Sequence, residues 1–176
     1  MNGYEIKKVL ISEEELKAKV SELARKINED YKGKEVLLVT LLKGGVVFVA
    51  DLMRGLNIPV ELEFMSASSY GNSNKSSGNV KITKDLDTPI EGKHVLIVED
   101  IIDTGKTLSE VIRLLHVRNP ASIKLCTILD KSVCRKTDLE ADYVGFEIPD
   151  EFVVGYGLDY AGKFRNLPYV AVIGLY

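Results

Sequence analysis

Ser12 and Glu15 stand at the spacing of a capping box, in which each side chain meets the other residue's main-chain N–H. Leu16, Val20, Leu23, Ala24 and Ile27 follow at intervals of three and four, so the pattern predicts an amphipathic helix that stops near Gly33. Residues 36–42 form a short apolar run before Gly44 and Gly45, and the apolar stretch 46–56 is long enough for a buried helix. In residues 60–67, Val60, Leu62 and Phe64 alternate with Glu61 and Glu63, the period of a strand with one wet face. Residues 66–79 carry almost no apolar side chain, too little burial to offset the entropy of ordering them. They are expected to form a mobile surface loop, and a loop of that length inside a compact domain suits a lid.

Further along, residues 94–98 read as an apolar strand that runs into Glu99, Asp100, Ile101, Ile102, Asp103, Thr104, Gly105, Lys106 and Thr107 as a turn. Leu108, Val111, Ile112 and Leu115 then mark a helix, residues 122–129 the next strand, and shorter apolar runs lie at 143–146, 152–154 and 169–174. Strands alternating with helices predict an α/β fold with a mainly parallel sheet covered on both faces. At 176 residues, with no repeat and no linker composition, the whole of 1–176 is expected to be a single domain.

Composition narrows the function classes. Hydrophobic residues make up 45% and charged residues 28%, which excludes collagen, coiled coil and bulk disorder. A net charge of −3 argues against a chain that holds nucleic acid or anionic membrane through a basic surface, though a local anion site remains compatible with it. The first residues lack the apolar core of a signal peptide, and Lys43 interrupts the apolar run from Val36 well short of a membrane span. A cytoplasmic protein without membrane or nucleic-acid partners is therefore expected. Cys126 and Cys134 with only His94 and His116 do not make a four-ligand zinc site, and no serine–histidine–acid triad is evident.

The segment after Val98 carries the chemistry. A parallel strand that ends in a Thr/Gly turn before a helix gathers backbone N–H groups and the helix's positive end around one point, which suits a phosphate. Thr104 and Thr107 offer hydroxyls, Gly105 permits close approach, and Lys106 brings positive charge. Gly105-Lys106-Thr107 is not a nucleoside-triphosphatase loop, because Asp100 stands where the first glycine of that motif belongs. Glu99, Asp100 and Asp103 crowd the same anion-binding turn, an unfavourable arrangement unless they face hydroxyls, a cation or a proton in transit.

The stretch from Val95 to Leu108 resembles the binding signature for 5-phosphoribosyl-1-pyrophosphate (PRPP) in type I phosphoribosyltransferases. Leu42-Lys43-Gly44-Gly45, Ser68-Ser69-Tyr70-Gly71 and residues 152–160, in that order around it, extend the resemblance to hypoxanthine-guanine phosphoribosyltransferases over nearly the whole chain. The resemblance implies a type I phosphoribosyltransferase fold with a small hood built from the N-terminal and C-terminal segments. It implies that Glu99 and Asp100 meet the ribose hydroxyls, directly or through magnesium, and that Asp103, Thr104, Gly105, Lys106 and Thr107 cradle the 5′-phosphate. Asp103 would also exchange a proton with N7 of the purine. Lys43, Gly44, Gly45 and Arg165 would hold pyrophosphate, with a Leu42–Lys43 peptide that can be cis, and Asp159 would bind a second magnesium ion. Lys131 would donate to the exocyclic O6 of a 6-oxopurine and so reject adenine, whose 6-amino group is itself a donor. Phe152 would stack on the base, Val153 would offer main-chain groups to its 2-position edge, and Ser69 and Tyr70 would close over PRPP as a lid.

The implied reaction joins PRPP to hypoxanthine or guanine, giving IMP or GMP and pyrophosphate, in a homodimer or homotetramer. Two alternatives stand beside it. A xanthine-preferring transferase would differ at the 2-position, which the sequence near Val153 leaves open, and a PRPP-sensing regulatory protein of the same fold would need a basic face for nucleic acid. The chain offers only short pairs such as Lys7-Lys8 and Arg135-Lys136.

Overall fold

The computed structural model describes residues 4–69 and 80–175. Among them a six-stranded sheet runs in the order β4-β3-β2-β5-β6-β7. Its strands are β2 (Val36–Leu41), β3 (Val60–Ser69), β4 (Val80–Lys84), β5 (His94–Ile102), β6 (Ser122–Asp130) and β7 (Tyr143–Glu147). All neighbours pair in parallel except β4, which lies antiparallel on β3. The helices are α1 (Glu13–Asp30), α2 (Val46–Arg54) and α3 (Lys106–His116).

Strand alternation explains why both faces are covered. Val36 and Leu38 of β2, with Leu96 and Val98 of β5, join the apolar cluster that includes Leu16, Leu23 and Ile27 of α1 and Phe48 and Leu52 of α2. The intervening Leu37, Val39, Val95 and Ile97 join a second cluster with Leu108, Val111 and Leu115 of α3. A strand buried on both sides has no polar positions to alternate, which is why these runs read as continuous apolar stretches. The helix α1 starts as expected, with Ser12 as N-cap and reciprocal bonds between Ser12 and Glu15.

A second, three-stranded antiparallel sheet has the order β1-β9-β8, from β1 (Tyr4–Ile11), β8 (Val153–Val154) and β9 (Val170–Leu175). Ile11, Val153, Val170 and Val172 of this sheet belong to the same apolar cluster as α1 and α2.

Several boundaries differ from the sequence expectation. Residues 66–69, expected to begin the loop, continue β3, because Ser66, Ala67, Ser68 and Ser69 are aligned with Lys84, Ile82, Lys81 and Val80 of β4. A main-chain ladder needs no apolar side chain, so small polar residues hold the strand. The rest of the expected loop, residues 70–79, lies outside the described residues. Residues 99–102, read as part of a turn, extend β5: Glu99 is paired with Thr127, and Ile102 with Asp130. The turn proper begins at Asp103. Strands β1 and β4 had no counterpart in the apolar pattern, and α1 and α2 end at Asp30 and Arg54, short of Gly33 and Leu56.

Candidate active site

Parallel strands deliver the chemistry at their carboxyl ends. Ile102 of β5 pairs with Asp130 of β6, so the residues that follow, Asp103 and Lys131, leave the sheet side by side at adjacent strand ends, about 5 Å apart in strand spacing. Asp103 is exposed, and Gly105 takes φ +79° at the start of α3, the left-handed conformation that glycine adopts without a Cβ penalty. A cavity of about 230 Å³ is lined by this turn, including Asp103, Thr104, Gly105, Lys106 and Thr107, together with Glu99 and Leu41. The structure therefore gathers the expected phosphate-binding residues around one space. The N–H groups at the start of α3 and the helix dipole favour an anion there.

Glu99 and Asp100, adjacent on β5, reach opposite sides of the sheet. The Glu99 carboxylate accepts the Leu41 N–H at 3.0 Å and shares the cavity with the turn. Burial pushes Glu99 well above the usual carboxylate range, the Asp100 charge adds to that, and the Leu41 N–H opposes it. Asp100 accepts the N–H of Ile101 at 2.9 Å. Its Oδ2 sits where a Cβ on Gly44 would be, so the two elements touch only because Gly44 has no side chain. Asp100 is raised to about 6, by burial above all and by Asp159 in smaller part, against the opposing pull of the Ile101 N–H and the nearby Arg165 guanidinium.

That side also brings together the residues expected to hold pyrophosphate. The Leu42–Lys43 peptide is cis, Lys43 is exposed, and a Cβ on Gly45 would overlap the Thr40 hydroxyl. The carbonyl of Gly44 lies where a Cβ on Gly157 would sit. Arg165 donates to the Gly157 carbonyl at 2.6 Å and pairs with Asp159 at 2.6 Å. Asp159 in turn accepts the N–H of Gly162 at 2.7 Å. Gly44 thus meets Gly157, whose carbonyl Arg165 holds, on one side and the Asp100 carboxylate on another.

Lys131 is 8% exposed, and its Nζ lies 3.3 Å from the Asp150 carboxylate. The Cys134 thiol, and after it Lys131, hold Asp150 below the usual carboxylate range. Phe152 is 50% exposed, unusual for a large aromatic side chain, and its ring meets Tyr160 edge-on at 5.7 Å and 90°. Val153 is buried in β8, which is the edge strand of its sheet, so main-chain groups facing away from β9 are not used by a strand partner. Ser69 closes β3, and Tyr70 lies outside the described residues.

Sequence reasoning missed Asp150, which meets Lys131, and Arg135, whose side chain reaches the Asp103 carbonyl. No local signal marks either residue, since both act across loops. Gly157 sits inside the glycine-containing stretch 152–160, where its spacing was the available clue.

No helix among the described residues is long and apolar enough to cross a membrane. A family model for the phosphoribosyl transferase domain matches residues 10–161. The chain is 53% identical over 173 residues to the hypoxanthine-guanine phosphoribosyltransferase of Bacillus subtilis, covering 98% of this chain and 96% of that one. It is 54% identical over 169 residues to the hypoxanthine phosphoribosyltransferase of Salmonella typhimurium, covering 95% of each. A crystal structure of a hypoxanthine-guanine phosphoribosyltransferase from Bacillus anthracis superposes with a TM-score of 0.91 at 49% identity, covering 97% of this chain and 99% of that one. The chain belongs to the phosphoribosyltransferase family and groups within it with the hypoxanthine-guanine phosphoribosyltransferases.

Proposed function

We infer that the chain serves purine salvage by transferring the 5-phosphoribosyl group of PRPP to hypoxanthine or guanine, giving IMP or GMP and pyrophosphate. The observation that carries this reading is the register of β5 against β6, which sets Asp103, one of the residues lining the cavity, at the strand end next to that of Lys131. A phosphate site alone fits many proteins. A phosphate site with a carboxylate in its turn and a buried lysine at the neighbouring strand end fits a phosphorylated sugar meeting a 6-oxopurine.

In this reading the turn 103–107 binds the 5′-phosphate, and that remote contact positions C1 of the ribose for attack. Asp103 holds the proton at N7 of the purine as the new bond to N9 forms. Lys131 donates to O6, and a donor at position 6, as in adenine, meets the ammonium without an acceptor. Phe152 stacks on the base, and the outward main-chain groups of Val153 meet its 2-position. Lys43, Gly44, Gly45 and Arg165 receive the departing pyrophosphate. Ser69 and Tyr70 close over the site and keep water from the positive charge that develops at C1.

The donor set fits magnesium. Among the described residues no three His, Cys, Asp or Glu side chains converge into a metal cage. Magnesium asks for no such cage, since it binds through one or two carboxylates plus waters and substrate oxygens. Glu99 and Asp100, buried side by side in sequence and poorly compensated, and Asp159 beside Arg165 are the carboxylates suited to it. When bound, magnesium neutralises charge on the ribose-pyrophosphate substrate. The reading also includes a cytoplasmic homodimer or homotetramer whose 1–176 chain is one domain, the sheet β1-β9-β8 serving as its hood.

The test is nucleotide formation from PRPP and magnesium with hypoxanthine, guanine, xanthine and adenine offered separately, for the parent chain and an Asp103→Asn variant. Turnover of hypoxanthine and guanine but not adenine, reduced about 100-fold or more in the variant, is the expected outcome. Preferential turnover of xanthine would move the specificity, and no turnover of any base would end the enzyme reading.

A further inference from the structure

The phosphate turn is braced from behind by the segment that follows β6, and the bracing is specific in its geometry. Three successive carbonyls are tied to that segment: Ile102 O accepts the Lys131 N–H at 2.9 Å, Asp103 O accepts Arg135 Nη1 at 3.3 Å, and Thr104 O accepts the Lys136 N–H at 2.9 Å. Among the described residues the only cis peptide is Leu42–Lys43, so the three peptides after these carbonyls are trans. In a planar trans peptide the C=O and the next N–H point in opposite directions. Drawing the three carbonyls toward residues 131–136 therefore turns the N–H groups of Asp103, Thr104 and Gly105 away from that segment, toward the cavity that these residues line. Successive N–H groups aimed at one concavity make an anion nest.

Two of the three ties are main chain to main chain. The middle one comes from a side chain, and it is held in place. The Arg135 guanidinium pairs through Nη2 with Asp130, and the two side chains are 13% and 10% exposed. Asp130 ends β6 opposite Ile102, so the carboxylate that aligns Arg135 is itself fixed by the central sheet. Arginine suits this place because one planar fork serves the carboxylate and the carbonyl together, which the single ammonium of lysine does with less directional control.

We propose that Arg135, aligned by Asp130, is a positioning residue for the 5′-phosphate: by holding the Asp103 carbonyl it keeps the N–H groups of the turn aimed at the phosphate. This rests on the reading of residues 103–107 as the phosphate site. The proposal is specific about which ligand atoms feel the residue. A ligand with a 5′-phosphate loses affinity when Arg135 is removed, whereas one lacking the phosphate does not.

Calorimetric titration of IMP and of inosine into the parent chain and the variants Arg135→Met, Arg135→Lys and Asp130→Asn separates these outcomes, with thermal unfolding recorded for each. Arg135→Met is expected to weaken IMP about tenfold or more and to leave inosine within about twofold, the size of one lost charge-assisted hydrogen bond. Arg135→Lys is expected to recover part of the IMP affinity, and Asp130→Asn to lose part of it. If Arg135→Met does not fold, the lysine and asparagine variants carry the same comparison. Equal weakening of IMP and inosine, or an unchanged ratio in the folded variants, overturns the proposal in favour of a purely structural ion pair. Failure of the parent chain to make IMP from PRPP and hypoxanthine would instead remove the phosphate-site reading on which the proposal rests.

Discussion

Residues 42–45 and residues 103–107 both follow a parallel strand and both depend on glycine, but for different physical reasons. At Gly44 and Gly45 the need is space: an added Cβ would overlap the Asp100 carboxylate or the Thr40 hydroxyl, both buried. At Gly105 the need is conformation, φ +79°, and the nearest atom to an added Cβ is the Thr137 hydroxyl at 2.5 Å, carried by a loop side chain. The first turn is crowded against rigid strands. The second is held by donors from one neighbouring segment. Equal substitutions should therefore have unequal effects, and the site's tolerance should be lowest where its glycine meets a strand.

The largest expected effect is at Gly44. Gly44→Ala must displace either the Asp100 carboxylate or the main chain that faces Arg165 and Gly157, a shift on the scale of an ångström. Misplacement of that size costs about 100-fold in turnover, so kcat/KM for PRPP should fall by that much while the circular dichroism spectrum is retained. A loss no greater than that of Gly105→Ala would show that Asp100 yields, and the contrast between the turns would fail.

Asp100 itself comes next, with an effect on stability. Its folded-state pKa is raised, by burial first, from the ordinary value of 3.8 to about 6. Between those values the folded chain binds more protons than the unfolded one, so this group's contribution to stability is lost as pH rises through that window. Asp100→Asn removes the buried charge and should raise stability by about 2 kcal/mol at pH 7.5 in chelator, with the gain vanishing below about pH 4. Denaturant unfolding at the two pH values checks it. A variant that is less stable at pH 7.5 would mean that the carboxylate is well compensated in the folded chain.

Gly105→Ala should be milder. Forcing an alanine to a left-handed conformation costs about 1 kcal/mol, and the Thr137 hydroxyl must also move. The KM for PRPP is expected to rise about fivefold with kcat less affected, since one strained residue perturbs a turn that remains tied at Ile102 and Thr104. Initial rates over a PRPP series measure it, and a loss as deep as that of Gly44→Ala would make the second turn the more rigid one.

These two turns also mark what the amino-acid sequence discloses. Glycine pairs, threonines and carboxylates after apolar strands are local signals; α1 and α3 announce themselves through periodicity, α1 also through the Ser12–Glu15 box, and α2 through the length of its apolar run. What stayed hidden depends on partners remote in sequence. Strand β1 is paired with β9 from the other end of the chain, and its exposed lysines mask any alternation. Ser66 to Ser69 looked like loop because a main-chain ladder with β4 leaves no apolar trace. Glu99 and Asp100 read as turn residues because charged side chains seldom sit inside a buried strand, and here they do so at the site. Arg135 lies in a stretch without a motif, and only the fold reveals what its side chain holds.

The smallest expected effect serves as a control on the comparison. Asp85, just after β4, accepts both guanidinium nitrogens of Arg118, just after α3, at 2.8 Å each, with side chains 49% and 36% exposed. Arg118 is the main cause that holds Asp85 below its ordinary range, so its contribution to stability is present above about pH 4 and lost as pH falls further. Solvent screens so exposed a pair, and Asp85→Asn should change stability at pH 7 by at most about 0.5 kcal/mol. The pair sits at the far end of α3 from Gly105, so kcat/KM for PRPP should not move. A fall in kcat/KM would show that α3 transmits position along its length to the phosphate turn. In that case the turn at 103–107 would not be held by residues 131–136 alone, and its contrast with the sterically fixed turn at 42–45 would narrow.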